Sequence, residues 1–468
     1  MLSISAPMKG AGSGNYYLNL AREDYYDNQT EEPGQWFGTG AQWMNLQGTV
    51  KRDAFHNLLE GYSPDGKWFH VQNAGSPKRQ SGWDLTFSAP KSVSVLWALS
   101  PDDLRKEIES AHQHAVKRAL TYLEETAGIT RRGRGGAIKE SAALVYATFQ
   151  HGTSRAHDPQ LHTHAILLNL GLREDGTSGS LQSLNIFREK MSAGAVYQTE
   201  LACVLRRKMN LQIDPDPVSF HVRGVPKELC HEFSKRRRAI ERKLKAQGKQ
   251  GAIAAKTAAL ETRQKKESIP RAELFSRWEQ VGKTYGWNAM HIFNRQQEKN
   301  LQKQIEVISK QIIAEKLKEV IESIPAAQRT RARVIRAATM VAIQNGADAQ
   351  MLADNLNTNK TDKKLRLFHI EWRPLFRKAP SWSLAKKMRA PVIVLGPPGL
   401  RKRRNQWGRI IWRRNAVIGE VRMQRKLLFP KAPRWSPARK IALPALRLLK
   451  RPIQSPPLKP SKDNRITH

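Results

Sequence analysis

The chain has 468 residues, with 80 Lys+Arg against 41 Asp+Glu and a formal net charge of +39. That is room for two or three domains, and a field of that sign recruits a polyanion, with nucleic acid ahead of an anionic membrane. No apolar run approaches the roughly 20 residues of a spanning helix, Met1 to Pro7 has no basic segment of a secretory signal, and two cysteines, Cys203 and Cys230, exclude a disulfide framework or a thiolate zinc site. A cytoplasmic protein without membrane insertion is expected. Residues 1–300 hold 42 Lys+Arg and 31 Asp+Glu, a net of +11, whereas residues 301–468 hold 38 and 10, a net of +28. The first part reads as a globular enzyme with a basic face, and the second as something else.

Met1 to Pro7 reads as a short first strand. Gly12-Ser-Gly-Asn-Tyr16-Tyr17 follows, then Leu18 to Asp24 and Tyr25-Tyr26. Adjacent tyrosines lie about 100° apart on a helix, so one ring of each pair should leave a core. Trp36-Phe-Gly, Leu46-Gln-Gly48 and Phe55 to Leu59 alternate short elements with turns. Asp84 to Phe87 reads as a strand, and Ser88 as the cap of a helix with Pro90 in its first turn. Such a helix start, with Lys91, attracts phosphate; an ordinary strand–helix corner explains Lys91 alone equally well.

Asp102 to Glu125 has helical periodicity. Arg131-Arg132-Gly-Arg134-Gly-Gly136 is a basic loop, either a DNA contact or a solvated turn. Leu144 to His151 reads as a strand, Gly152 to Gln160 as a turn around Asp158-Pro159, and His162-Thr-His164-Ala-Ile-Leu-Leu168 as the returning strand. Residues i and i+2 of a strand share a face. Antiparallel pairing would set His151 beside His162 and His164, three imidazoles converging with open coordination positions, as a catalytic divalent metal requires. Lys190 to Lys208, a very basic stretch from Glu228 to Gln247 containing Lys235-Arg236-Arg-Arg238, and Arg271 to Tyr285 with Leu274, Trp278 and Val281 as its core face all read as helices. Val218 to Val222 reads as a strand.

Ala314 to Leu356 is helical. From Arg373 onward only Glu420 and Asp463 are acidic, and Phe376-Arg-Lys-Ala-Pro-Ser-Trp382 resembles Phe429-Pro-Lys-Ala-Pro-Arg-Trp435. That composition suits a disordered nucleic-acid-binding tail or the product of a lost reading frame. Val281-Gly-Lys-Thr284 has Arg277 where a P-loop needs its first glycine, and Gly396-Pro-Pro-Gly399 lacks the Gly-Lys-Ser/Thr, so no ATP site is expected.

Together the double tyrosine near the N-terminus, Trp36-Phe-Gly, the block Asp84-Leu-Thr-Phe-Ser-Ala-Pro-Lys-Ser-Val-Ser, the stretch His151 to His164, Gly194-Ala-Val-Tyr197 and Phe233-Ser-Lys-Arg236 resemble the relaxase domain of TrwC/TraI-type (MOBF class) conjugative relaxases, within the HUH endonucleases. The resemblance runs from Met1 to about Trp278. It implies an α+β fold: a central antiparallel sheet carrying the three-histidine site, flanking helices, and a helical lobe that closes on single-stranded DNA. The implied divisions are a relaxase domain over 1–300, a helical extension over 301–372 and a basic tail over 373–468.

The implied reaction is attack by a tyrosine on the nick-site phosphate of an origin of transfer, leaving a covalent 5′-phosphotyrosine and a free 3′-OH. Tyr16 is the initial nucleophile and Tyr25 the second, with Tyr17 and Tyr26 as neighbours. A metal would be held by His151, His162 and His164. Asp84 either accepts the tyrosyl proton or orients a ligand histidine. Imidazoles alone suit zinc, nickel or copper; the family points to Mg2+ or Mn2+. Lys91, Arg131, Arg132, Arg134, Arg155, Lys235 and Arg236 are the expected DNA contacts. Expected partners are single-stranded and origin DNA, accessory DNA-binding proteins and a conjugative coupling protein, with carriage into the recipient cell on the DNA as a further expectation. The family usually continues into a helicase domain, and no Walker motif follows here. A rolling-circle initiator shares the metal hairpin but places its tyrosine after the histidines, and a basic binding protein with a structural metal has no use for tyrosine pairs.

Overall fold

The computed structural model describes residues 1–10, 34–67, 71, 73–216, 219–262, 269–293, 310–325 and 328–358. Tyr16, Tyr17, Tyr25 and Tyr26 and the basic tail lie outside the described residues. From the N-terminus come β1 (Leu2–Ile4), β2 (Met8–Lys9), β3 (Gln35–Phe37), α1 (Thr39–Trp43) and α2 (Arg52–Glu60). β4 (Gln80–Ser88) leads into α3 (Lys91–Ala98) and α4 (Asp102–Ala127). A ribbon of β5 (Ile129–Arg132) and β6 (Ile138–Ser141) precedes β7 (Ala143–Thr153), β8 (Pro159–Leu172) and β9 (Ser178–Gly179). Then follow α5 (Ser183–Met209), a second ribbon of β10 (Ile213–Asp216) and β11 (Ser219–Val222), α6 (Lys227–Glu232), α7 (Lys235–Ala246), α8 (Ala252–Glu261) and α9 (Arg271–Thr284). The described chain ends with α10 (Lys310–Glu322), α11 (Arg331–Asn345) and α12 (Ala349–Thr358). None of the described helices is long and apolar enough to cross a membrane.

The main sheet has the order β1-β4-β8-β7-β3, with β2 beside β4 and β9 beside β8, and every pairing is antiparallel. Both central strands are apolar on both faces, as strands covered on two sides must be. Trp83, Leu85 and Phe87 of β4, Leu144 and Tyr146 of β7 and Ala165 and Leu167 of β8 enter one core with α3, α4 and α5. The alternate residues Val145, Ala147, Phe149, Ile166 and Leu168 meet α2 through Phe55, Leu58 and Leu59. Complete burial of each of those three side chains contributes roughly 1.5–3 kcal/mol.

That alternation places the histidines. His151 shares the parity of Phe149, and His162 and His164 that of Ile166, so all three lie on the α2 face, beyond the point where its apolar packing ends. The opposite face carries Thr163, whose Oγ1 stands 2.9 Å from Nε2 of the fully buried His112. His112 Nδ1 stands 2.8 Å from the Tyr197 hydroxyl. Burial lowers His112 to about 3, so it is neutral in this chain of bonds.

Several elements differ from the sequence reading. Ser88 ends β4 and makes no cap; Pro90 is the residue before α3. Arg131 and Arg132 are in β5, paired with Lys139 and Ile138, and only Arg134 to Gly136 form a turn. The basic stretch from Glu228 is two helices, because Phe233 is drawn into the core and Ser234 takes a non-helical conformation. The extension is three helices, α10 to α12, packed around Ala195 of α5 through Leu317, Ile321, Val334, Ile335 and Ala338.

Candidate active site

The register of β7 and β8 sets His151 directly opposite His162, and Phe149 opposite His164. Between His151 and Thr153 only a glycine fits, since a Cβ on Gly152 would stand 2.3 Å from the buried Trp97 ring. The three imidazole centroids are 5.6 Å (His151–His162), 5.5 Å (His151–His164) and 5.1 Å (His162–His164) apart.

Each of the two β8 rings is held through Nδ1. His162 Nδ1 is 2.7 Å from the carbonyl of Gln160, and His164 Nδ1 is 2.8 Å from Asp84 Oδ2. A carbonyl and a carboxylate only accept, so both Nδ1 atoms carry a proton and Nε2 is the ring atom each turns away from these partners. Thr86 Oγ1 donates to the other oxygen of Asp84 at 3.2 Å. Burial and the two neighbouring imidazoles hold His162 well below its ordinary pKa, which keeps it in this neutral tautomer.

Imidazoles ligating one ion through Nε2 at about 2.1 Å, at angles of about 90–110°, have centroids roughly 4.6–5.3 Å apart. The His162–His164 spacing lies within this range and the two spacings to His151 lie slightly beyond it, and among the described residues no group of three or more His, Cys, Asp or Glu is already closed around an ion position. The donor set nonetheless fits a divalent cation. Three imidazoles converge, two have Nδ1 engaged so that Nε2 is the atom left for an ion, and a buried carboxylate stands behind one of them, the usual support of a metal-bound histidine.

The turn joining the two strands packs against the helices that follow. Lys91 Nζ donates to the Pro159 carbonyl at 2.8 Å, and burial lowers its ammonium to about 8. Lys91 therefore holds the histidine hairpin from inside. Lys235, the first residue of α7, donates its backbone N–H to Asp158 Oδ2 at 2.8 Å and places Nζ 3.8 Å from Oδ1. Arg236 donates to the Ala259 carbonyl of α8 at 3.2 Å, and Arg155 lies in the turn. Arg131, Arg132 and Arg134 are not brought to the histidines. Their ribbon abuts Gly171 at the other end of β8, roughly 25 Å along the strand. There Arg132 pairs with Asp175 at 2.6 Å and Glu140 at 3.2 Å.

Sequence reasoning missed the Gln160 carbonyl, which has no residue signature, and Asp158, which reads as half of a turn dipeptide. It also missed the buried Glu124, whose carboxylate accepts from the N–H groups of Thr39 at 3.1 Å and Leu144 at 2.7 Å.

Residues 11–284 match the family model of the TrwC relaxase. The multifunctional conjugation protein TraI of Escherichia coli is 34% identical over 303 residues, and that of strain K12 32% identical over 305. Each comparison covers 62% of this chain, which spans only 16% of the length of either TraI. Among solved structures, the conjugative relaxase TrwC in complex with oriT DNA in its copper-bound form is 33% identical with a TM-score of 0.56, and a metal-free form is 31% identical with a TM-score of 0.55. Each covers 62% of this chain and 100% of the TrwC chain. With more than half of its residues matched by the family model and the TrwC structures matched over their whole length, this chain belongs to the TrwC relaxase family.

Proposed function

We propose that the chain is a metal-dependent, strand-specific DNA nickase and strand transferase acting at a plasmid origin of transfer. The observation that carries this reading is the His151, His162, His164 cluster with Asp84 behind His164, in a region that matches TrwC bound to oriT DNA over the whole TrwC chain. His151, His162 and His164 would hold the divalent ion, Mg2+ or Mn2+ in the cell. Bound there, it would polarise a non-bridging oxygen of the scissile phosphate and neutralise developing charge.

The protein's own groups do the rest. Asp84 is committed to His164, which favours the orienting role over that of general base. Tyr16 is the nucleophile. A tyrosine with an ordinary pKa near 10 is phenolate about one time in a thousand at pH 7, so generating the anion costs roughly 4 kcal/mol. Positive charge beside the hydroxyl offsets part of that cost. The Tyr16 Oη–P bond forms as the P–O3′ bond breaks, the phenol loses its proton, and O3′ leaves as a hydroxyl. The phosphotyrosine conserves the phosphodiester, so a later 3′-OH reseals the strand without ATP. Tyr25 serves the second transfer, with Tyr17 and Tyr26 as neighbours.

Arg155, Lys235 and Arg236 belong to the DNA side of the hairpin, Lys91 braces it from within, and Arg131, Arg132 and Arg134 belong to a separate contact at the far end of the sheet. Residues 1–300 act as the relaxase unit, 301–372 as a helical extension, and 373–468 as a basic arm. Accessory DNA-binding proteins and a coupling protein complete the assembly in the bacterial cytoplasm. Substituting His162→Ala tests the site: nicking of an origin oligonucleotide should be lost while binding is retained, and nicking at the wild-type rate would remove the metal from the mechanism.

A further inference from the structure

The turn between the two histidine strands is fixed from outside as well as within. Ser154 Oγ accepts from the N–H groups of Ala156 and Asp158, both at 3.2 Å, and His157 takes a left-handed conformation, φ 56°. Two further contacts come from helices far along the chain. The Lys235 N–H at the start of α7 reaches Asp158 Oδ2, and Trp278 Nε1–H of α9 reaches the His157 carbonyl, both at 2.8 Å. Asp158 is 2% exposed, although it is a carboxylate in a turn.

The basic helix α7 has no buried residue of its own. It rests against α8, where Arg236 donates to the Ala259 carbonyl and Lys243 pairs with Glu261, and its N-terminal end is held by a carboxylate facing the positive pole of the helix. Asp158 directly precedes β8, four residues before His162, and Ser154 stands three residues after His151. Any shift of α7 toward bound phosphates pulls on the link between the two histidine strands. The spacing of His151 from the two β8 imidazoles, slightly wide for ligation of one ion, is the part of the site that such a pull would adjust.

We propose that Asp158 is a positioning residue that couples DNA capture by α7 to closure of the three-histidine cluster, an inference resting on the metal-site reading above. Metal and DNA then favour one another without the metal touching the nucleic acid. The test titrates Mn2+ into the full chain by calorimetry, with and without an origin oligonucleotide ending at the nick-site 3′-OH, which carries no scissile phosphate. In the wild type the oligonucleotide raises Mn2+ affinity at least about fivefold, and Mn2+ raises oligonucleotide affinity by the same factor, because coupling between two binding sites is reciprocal.

Asp158→Asn, which keeps an acceptor oxygen and loses the charge, brings both factors below about twofold and leaves Mn2+ binding to the free protein and the circular dichroism unchanged. Trp278→Phe keeps an aromatic ring against Trp97 and Phe275 and removes the donor to His157 along with part of the indole volume; it lowers the same factor through an independent contact, with circular dichroism checking that the fold is kept. Absence of coupling in the wild type, or wild-type coupling in Asp158→Asn, overturns this proposal and leaves the metal reading intact. Mn2+ binding that is absent, or unchanged by His162→Ala, removes the metal reading and this proposal with it.

Discussion

The Asp84 carboxylate accepts a hydrogen bond from Nδ1 of His164 at 2.8 Å, diagonally across neighbouring strands in which Asp84 itself pairs with Ile166. The contact fixes the tautomer and the plane of one member of the histidine cluster. It joins the Asp84 block to the histidine hairpin, two motifs that lie 80 residues apart in the chain.

Asp84→Asn should weaken Mn2+ binding by about 10–100-fold, the usual cost of losing a partner behind a metal-bound histidine. An amide can offer its oxygen to Nδ1 but no longer favours the basic ring. Nicking should fall at limiting metal and recover at saturating metal, with single-stranded DNA binding unchanged. Calorimetric titration measures the first effect, and a loss of nicking that excess metal does not rescue would mean that Asp84 acts on the tyrosyl proton instead.

The buried carboxyl of Glu124 should leave a pH signature on stability. Burial raises it from the ordinary value near 4.5 to about 7, against the opposing hydrogen bonds from Leu144 and Thr39. The folded protein thus binds this proton more tightly than the unfolded chain. The associated stability is complete below pH 4.5, is lost as pH rises through about 7, and amounts to about 3 kcal/mol over that window. In Glu124→Gln that loss should vanish. The difference in Tm between wild type and variant should fall steadily from pH 4.5 to 7 and stay flat above; a difference independent of pH contradicts the assignment.

The hairpin was legible because a strand period and a turn signal coincide there. A side-chain period of two puts His162 and His164 on one face, and the Asp158-Pro159 turn signal brings His151 back opposite His162. What the chain does with Lys91 was not legible. Lysine at a helix start satisfies a phosphate-site pattern, yet its ammonium lies against the Pro159 carbonyl, a partner 68 residues away that no local pattern encodes. The break between α6 and α7 escaped for a related reason. Phe233 has nearly the helical propensity of its neighbours, and only the core it enters separates the two helices.

Truncation after Trp372 should weaken DNA binding more at low salt than at high salt. Solvated Lys and Arg contact phosphate and release counterions, so the slope of log affinity against log salt should become shallower without a change in sequence preference. Equal slopes for the two proteins would show that residues 373–468 do not touch DNA.

The most direct measurement incubates the chain with a single-stranded origin oligonucleotide and Mn2+, traps the denaturation-resistant adduct and maps the modified peptide. The phosphate should be on Tyr16. Tyr16→Phe, which deletes only the hydroxyl, should abolish the adduct, and Tyr25→Phe should leave the first cleavage largely intact while impairing termination of transfer. Phosphate on Tyr25 or Tyr26 after the first cleavage would reverse the order of the two pairs, and cleavage without any protein–DNA adduct would contradict the covalent mechanism altogether.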